Sequence, residues 1–308
     1  MRLQDETNMK LTEYISEILR SPRKKKNVAL ALSGGGARGY AHIGAIEVLL
    51  QRGYLITSVA GTSMGALVGG LFAAGKLDEM KDRVLNLNKK EVLSLMNISL
   101  GLDHVASGER LMASIDEMVG ESLIEALPIN FCCCASDVVS GKEKVFREGS
   151  LKTAIRASIS IPCFFKPVSD GTHIYVDGSV HNTLPLDRVM RHKGDLLVAV
   201  NVSAPDDESF DAYLKPHNQY NNTENSLLSR LPFMKYRFSA NYMNMALRVA
   251  RLSIQNNTQM SIRLTPPDVC ASIPMNRFSL FDLDKAADII QYGRDEMSRQ
   301  LDAFEKNV

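Results

Sequence analysis

Two short apolar runs, each cut off by a glycine-rich turn, constrain this chain more than any other feature. Val28-Ala29-Leu30-Ala31-Leu32 is continuously apolar, the pattern of a strand covered on both faces. Ser33-Gly34-Gly35-Gly36-Ala37-Arg38-Gly39 follows, and Tyr40 to Leu50 then sets Ile43, Ile46, Leu49 and Leu50 at helical spacing. The pattern repeats with Ile56 to Ala60 as strand, Gly61-Thr62-Ser63-Met64-Gly65 as turn and Ala66 to Ala74 as a small-residue helix. Strand, turn and helix twice within roughly fifty residues predict parallel strands joined by right-handed crossovers. The expected class is α/β, a three-layer α/β/α arrangement on a largely parallel central sheet, with further helices at the C-terminus.

The 308 residues suit one large domain or two small ones at about 150 residues each. Residues 1–26 read as a polar helix, Leu11 to Leu19, and a basic linker, Arg23 to Lys26, best taken as a solvated connection. The core domain is assigned to 27–203. Within it, Leu77 to Met96 and Arg110 to Val119 are amphipathic helices, and Ser150 to Ser158 is a helix stopped before Pro162. Strands are expected at Ile129 to Ala135, Thr172 to Val176 and Leu196 to Val202, with Lys144 to Phe146 as an edge. Residues 204–230 are polar and Asn-rich, a long loop or insertion. Residues 231–308 form a helical cover: Leu231 to Ile254, a last strand at Ile262 to Leu264, and a terminal helix from Leu283 to Phe304.

Several function classes drop out early. With 36 basic and 35 acidic residues, the net charge of +1 gives no general reason to bind nucleic acid or an anionic membrane. Met1 to Lys26 has no apolar signal core, and no apolar run reaches the ~18 residues of a spanning helix. The chain has five cysteines. Cys132, Cys133 and Cys134 are consecutive in an apolar stretch, which suits buried packing better than disulfides. No second cluster offers metal-ligand spacing. The expectation is a cytoplasmic protein without metal or cofactor, in at most transient contact with a membrane surface.

Chemistry concentrates in the turns. Gly61-Thr62-Ser63-Met64-Gly65 has the Gly-x-Ser-x-Gly form of a nucleophile elbow, in which Gly61 and Gly65 remove clashes and Ser63 stands at a helix N-terminus. Gly34, Gly36 and Gly39 also fit a dinucleotide fingerprint. That reading needs an acidic residue ~20 positions on, and the second strand ends in Val59-Ala60-Gly61 instead. An anion nest for a developing oxyanion is the better use of Gly34, Gly35, Gly36, Arg38 and Gly39. Arg38 either braces this turn or meets a lipid phosphate, with bracing the commoner role.

A hydroxyl nucleophile needs a base, and the chain offers His42, His104, His173, His181, His192 and His217. Of these His181 is the best second choice of base, while His42, one turn into a helix, reads as packing or capping. Lys166 reads as a solvated loop residue. Asp177-Gly178, at the end of a strand, is by itself most simply a turn.

In their order along the chain, Gly34 to Gly39, Gly61 to Gly65 and Asp177-Gly178 resemble the patatin-like phospholipase family in its bacterial, single-domain form. Ala154 to Pro162, Phe164 to Pro167, Asn182 and Pro185 are similar to further family blocks. The resemblance spans about Val28 to Val202. It implies that Ser63 is the nucleophile, Asp177 its sole partner and the Gly34 to Gly39 turn the oxyanion hole. One departure is Ser179, where the family usually has Gly or Ala.

The implied activity is a serine acyl-ester hydrolase acting on phospholipids or lysophospholipids through an acyl-enzyme. Two alternatives stay open: acyl transfer to another acceptor, and a non-catalytic regulatory protein of the same fold. Met64, Leu67 and Leu71 either line an acyl channel or are plain core. Leu231 to Phe238 is either an interfacial or lid element or a helix closing the core. An interfacial role requires liposome flotation to weaken when Phe233 and Phe238 are made polar; unchanged flotation assigns the segment to the core.

Overall fold

The computed structural model describes residues 26–87, 91, 109–162, 164–207 and 240–307. The expected N-terminal helix, His104, His217, residues 208–230 of the polar stretch and the 231–238 segment lie outside them.

The first strand, β1 (Lys26–Leu32), ends at the glycine turn, which winds into one 3-10 turn before helix α1 (Ala41–Gln51). Strand β2 (Tyr54–Thr62) pairs parallel to β1 and runs straight into α2 (Met64–Ala73). Helices α3 (Leu77–Leu85) and α4 (Glu109–Val119) precede strand β3 (Asn130–Asp137), parallel to β2, and strand β4 (Lys142–Phe146), its antiparallel hairpin partner. After α5 (Leu151–Ser158) come the short strands β5 (Val168–Ser169) and β6 (Ile174–Asp177), then β7 (Leu196–Ala204). The C-terminal part supplies α6 (Ala240–Leu264), β8 (Val269–Pro274) and α7 (Ala286–Glu305). Among the described residues the sheet has eight strands in the order β5-β6-β3-β2-β1-β7-β8, with β4 on β3. Its centre, β3-β2-β1-β7-β8, is wholly parallel, as the two strand–turn–helix units predicted.

The two faces of the sheet are unequal, and the strand sequences say why. Side chains alternate across a strand. Val28, Leu30, Leu32, Val198, Val200 and Val202 join one large core with α1, α2, α5 and α7. The alternate positions Ala29, Ala31, Ala60, Cys132 and Ala199 are small, and they pack under Leu184, Leu186 and Val189. Large residues on one face stand off helices, while small ones on the other admit close-lying irregular chain. The second layer is therefore thin, made of residues 184–189 and the inner face of α6, from which Ile262 joins this smaller core.

Two expectations are corrected. Ile262 to Leu264 are the last residues of α6, and the final strand is β8, parallel to β7. The apolar triplet is the end of a helical stripe, too short to show its period. The C-terminal part also does more than cover the core, since it completes the sheet edge. Its last helix crosses α1 at Gly44 and Gly293. A Cβ on Gly44 would collide with the Ile290 carbonyl, and one on Gly293 with the Ala41 carbonyl. Backbone cannot move aside as a side-chain tip can, so Gly293→Val is expected to destabilise by about 1–3 kcal/mol. Thermal unfolding followed by circular dichroism checks this; an unchanged midpoint rejects the tight crossing.

Candidate active site

One edge of β3 sets the geometry. Along the opposite edge β4 pairs with Cys133 through Asp137. On the edge that remains, β2 pairs with Asn130 through Cys134, its last residue Thr62 opposite Cys134. From Ala135 on, β6 takes over that edge in the antiparallel sense, with Asp177 opposite Ala135. Two strands arriving from opposite directions thus end against each other on neighbouring residues of β3. Ser63 follows one end and Asp177 closes the other, so residues far apart in sequence meet at one point.

The backbone at Ser63 is strained as the elbow pattern requires. Its φ of 53° and ψ of −121° make it, among the described residues, the one non-glycine with positive φ, a conformation costing of order 1–3 kcal/mol. A Cβ on Gly61 would strike the Gly65 carbonyl, and one on Gly65 the Leu32 carbonyl. Only glycine fits where the elbow touches itself and β1. The Ser63 N–H donates to Ser158 Oγ at 2.9 Å, and that hydroxyl donates to the Cys134 carbonyl at 2.6 Å. Two residues on, the Ser160 carbonyl accepts from the Asp177 N–H at 2.9 Å. The end of α5 and the turn after it therefore hold both Ser63 and Asp177.

Asp177 is 4% exposed, and burial raises its carboxyl above the usual range; contacts with the Ser63 hydroxyl and with Ser179 oppose that rise. Oδ1 accepts from the Ser179 N–H at 2.8 Å. Oδ2 is buried and closes no hydrogen bond of standard geometry. The Ser63 hydroxyl is thus a close electrostatic neighbour of the carboxyl rather than a completed hydrogen bond, as is common in unliganded sites. Ser179 fits without displacing Asp177 because its neighbour Gly34 has no side chain: a Cβ there would run into Ser179 Oγ and crowd the Ser63 Cβ.

The glycine turn is only partly available for an anion. The Gly34 N–H is spent on the Thr183 carbonyl at 3.0 Å, and Ala37 N–H on the Leu280 carbonyl at 3.0 Å. Gly35 and Gly36 N–H groups have no acceptor among the described residues. Gly36 sits at φ 57°, a value that favours glycine. Gly39 makes room for Met64, whose side chain would overlap a Cβ there. The Arg38 guanidinium is turned away from Ser63. Nε donates to the Val202 carbonyl at 2.8 Å and Nη1 to the Phe278 carbonyl at 3.1 Å. Desolvation lowers its pKa to about 10. Arg38 braces the turn, and its grouping with the anion-binding residues is corrected to that extent.

Three of the described histidines have partners away from Ser63. His42 is fully buried against the Ser33 carbonyl at 2.9 Å, and burial lowers its pKa to about 4, so it is neutral. His181 Nε2 contacts the Gly141 carbonyl at 3.1 Å, and His173 Nδ1 the Asp137 carboxylate at 2.7 Å. Thr62 Oγ1 donates to the Asn182 carbonyl at 2.7 Å, which ties the strand before Ser63 to the turn after Asp177. The sequence offered no signal for Ser158, Ser160 or Thr62 in these roles beyond their place in recognisable blocks.

Beside Ser63 opens a cavity of about 600 Å³. Among the described residues its walls are mainly apolar, including Met64, Leu67, Leu71, Met118, Ile161 and Phe281, and Gly36 lines it as well as Ser63. Met64, Leu67 and Leu71 thus serve as cavity wall as well as helix. Arg83, which also lines the cavity, is held by Glu79, Glu117 and Ser114. No group of acidic, His and Cys side chains suited to a metal occurs among the described residues. No described helix is long and apolar enough to cross a membrane.

A strained serine and a buried carboxyl thus lie at one junction, and an apolar cavity opens beside the serine. The chain belongs to the patatin-like phospholipase family, whose model matches residues 30–190, slightly over half of the chain. It is 41% identical over 183 residues to an uncharacterized NTE family protein of Mycobacterium tuberculosis, covering 59% of this chain and 50% of that protein. A Caenorhabditis elegans protein named for a patatin-like phospholipase domain is 26% identical over 286 residues, 90% of this chain and 26% of its own. The chain thus spans about half or less of the curated relatives it matches. Among solved structures, VipD from Legionella pneumophila aligns with a TM-score of 0.44 at 14% identity, over 91% of this chain and 67% of that one.

The Ser158 bridge is directly testable. Ser158→Ala would leave the buried Ser63 N–H and Cys134 carbonyl without that hydroxyl. A loss of about 1–3 kcal/mol is expected, read as a lower midpoint in urea; an unchanged midpoint shows that the bridge is dispensable.

Proposed function

We propose that this protein is a serine acyl-ester hydrolase of lipid substrates, phospholipids or lysophospholipids, working through a Ser63–Asp177 dyad. The observation that carries the reading is the end-to-end meeting of β2 and β6 on β3, which brings a strained hydroxyl beside a buried carboxyl. Family membership supports a lipid acyl hydrolase in general, and the apolar cavity suits an acyl chain.

In this mechanism Ser63 Oγ attacks the ester carbonyl while its proton passes to Asp177 Oδ2, the carboxylate oxygen without a hydrogen bond. The negative charge that develops on the carbonyl oxygen is met by the Gly35 and Gly36 N–H groups, and a donor of this kind contributes about 3 kcal/mol. Collapse of the tetrahedral intermediate breaks the ester C–O bond, and Asp177 returns the proton to the leaving alcohol. The acyl group is then on Ser63. Water attacks it with Asp177 again taking the proton, and the acid leaves as Ser63 recovers its hydrogen.

A carboxylate is a weak base for a hydroxyl. Burial strengthens it, since desolvation disfavours the charged form and raises proton affinity. Proton transfer concerted with attack spares the site a free alkoxide. Most of the acceleration then comes from positioning and from the amides.

Ser63→Ala and Asp177→Asn are each expected to lower turnover of p-nitrophenyl esters and defined phospholipids by about a thousandfold or more. Substantial residual turnover in either rejects the dyad, and wild-type Ser63 left unlabelled by a fluorophosphonate rejects a catalytic serine. Because the folded-state pKa of Asp177 lies above its unfolded value, the folded form holds the extra proton between the two. Stability therefore falls as pH rises through that window. Above that window the ionised carboxyl is a net cost, so Asp177→Asn should there melt at the same temperature as the wild type or higher.

The same shift sets a pH prediction. The dyad needs an ionised Asp177, so kcat/KM should fall on the acid side at a pH above the ordinary carboxylate range. Ser179→Ala removes a contact that favours the charged form and should move this limb to higher pH; a limb that stays or moves down contradicts the assignment.

A further inference from the structure

The turn that follows Asp177 is held from outside by several parts of the chain, among them the β3–β4 hairpin, where Asn182 Nδ2 donates to Glu143 Oε1 at 3.1 Å and His181 Nε2 meets the Gly141 carbonyl at 3.1 Å. Asn182 accepts from Thr62 Oγ1 at 2.7 Å through its carbonyl. The Thr183 carbonyl accepts from the Gly34 N–H at 3.0 Å. A further hold comes from α6, outside the region that carries the family motifs. Asn257 Oδ1 accepts from the Thr183 N–H at 2.8 Å, and Asn257 Nδ2 donates to the His181 carbonyl at 2.7 Å. Its two partners fix the orientation of the amide, because a backbone N–H can only meet the oxygen and a carbonyl only the NH₂.

We propose that Asn257 is a positioning residue for both the Asp177 carboxyl and the glycine turn; the proposal rests on the dyad reading above. The path to Asp177 is short. Asn182 N–H and His181 N–H both return to the Gly178 carbonyl, at 2.8 and 3.0 Å, and Thr183 Oγ1 donates to the Ser179 carbonyl at 3.1 Å. The turn from Gly178 to Thr183 therefore moves as a unit. On its near side Asp177 is fixed by β3 and by the Ser160 carbonyl.

On the far side, the Asn257 side-chain amide makes two bonds to the turn at once. The path to the glycine turn is shorter still. Thr183 gives its N–H to Asn257 and its carbonyl to Gly34, so one peptide-linked residue joins α6 to the loop whose next two N–H groups are open. Thr183 is fully buried, so a Thr183 N–H without Asn257 would be left without a partner and the turn would shift to find one. A misplacement of ~1 Å at a reacting group costs about a hundredfold in rate.

Asn257→Ala removes both bonds. Asn257→Asp keeps an acceptor for the Thr183 N–H but sets a carboxylate oxygen against the His181 carbonyl. Each variant is purified as the full chain, its competent Ser63 counted by stoichiometric fluorophosphonate labelling, and its turnover of a short p-nitrophenyl ester measured per labelled site. The expected result is a kcat lower by about tenfold to a hundredfold for Asn257→Ala, with KM within about twofold. Asn257→Asp should fall between it and the wild type.

Wild-type kcat per labelled Ser63 in both variants overturns the proposal. So does a loss that merely tracks the labelled fraction, which is the signature of a structural role. If Asn257→Ala does not fold, Asn257→Asp decides: unchanged kcat per site overturns the proposal, and a reduced kcat at constant KM supports it. Ser63→Ala separates the two levels. Retained turnover there removes the dyad itself, whereas an inactive Ser63→Ala beside fully active Asn257 variants removes only the positioning role.

Discussion

The edge of β3 between Cys134 and Ala135 is where the rest of the structure converges. A parallel strand and an antiparallel strand share that edge, and each must end where the other ends. Because both ends are hydrogen-bonded to one continuous strand, their separation is set by the sheet repeat rather than by flexible loops. The hydroxyl and the carboxyl are placed with the precision of a β-ladder. Everything nearby maintains this junction: Ser158 and Ser160 from the α5 side, Thr62 and Gly34 from the two motif turns, and Asn257 from α6.

The junction is costly to maintain. It contains a serine with positive φ and a carboxyl that burial drives away from its charged form. A single strained residue costs of order 1–3 kcal/mol, comparable to losing a large part of one core side chain. The surroundings are correspondingly over-determined. The large core face carries fully buried Leu30, Leu32, Leu49, Leu71, Phe72 and Ile155 close to the elbow helix, and Arg38 spends its guanidinium on two backbone carbonyls. A cation placed there steadies the glycine turn and leaves the cavity beside Ser63 to apolar groups.

Much of this was legible in one dimension. The glycines at 61 and 65 announced an elbow because close backbone contact leaves no other residue type. The continuous apolar run of β1 predicted a strand buried on both faces, and its alternation of Val and Leu with Ala explains the unequal layers. Asp177 was harder, since an Asp-Gly pair at a strand end is usually a turn; only its order after the two glycine motifs marked it. The strand expected at Ile262 to Leu264 belongs to α6, because three apolar residues carry no usable period. The anion role expected of Arg38 and Gly34 yielded to bracing, as a donor's partner depends on which carbonyl lies nearest in space.

The sequence by itself determined the local conformations: where strands stop, where glycine is obligatory, which face of each strand is large, and that Ser63 would stand at the head of a helix. Those follow from steric limits and side-chain period, which act over a few residues. Tertiary structure alone decided that β6 would finish the edge β2 leaves open, that Gly34 would give up its N–H, and that an asparagine on a distant helix would hold the turn after Asp177. Such choices depend on which unsatisfied donors and acceptors the completed fold brings within about 3 Å of one another, and chain order carries no record of that distance.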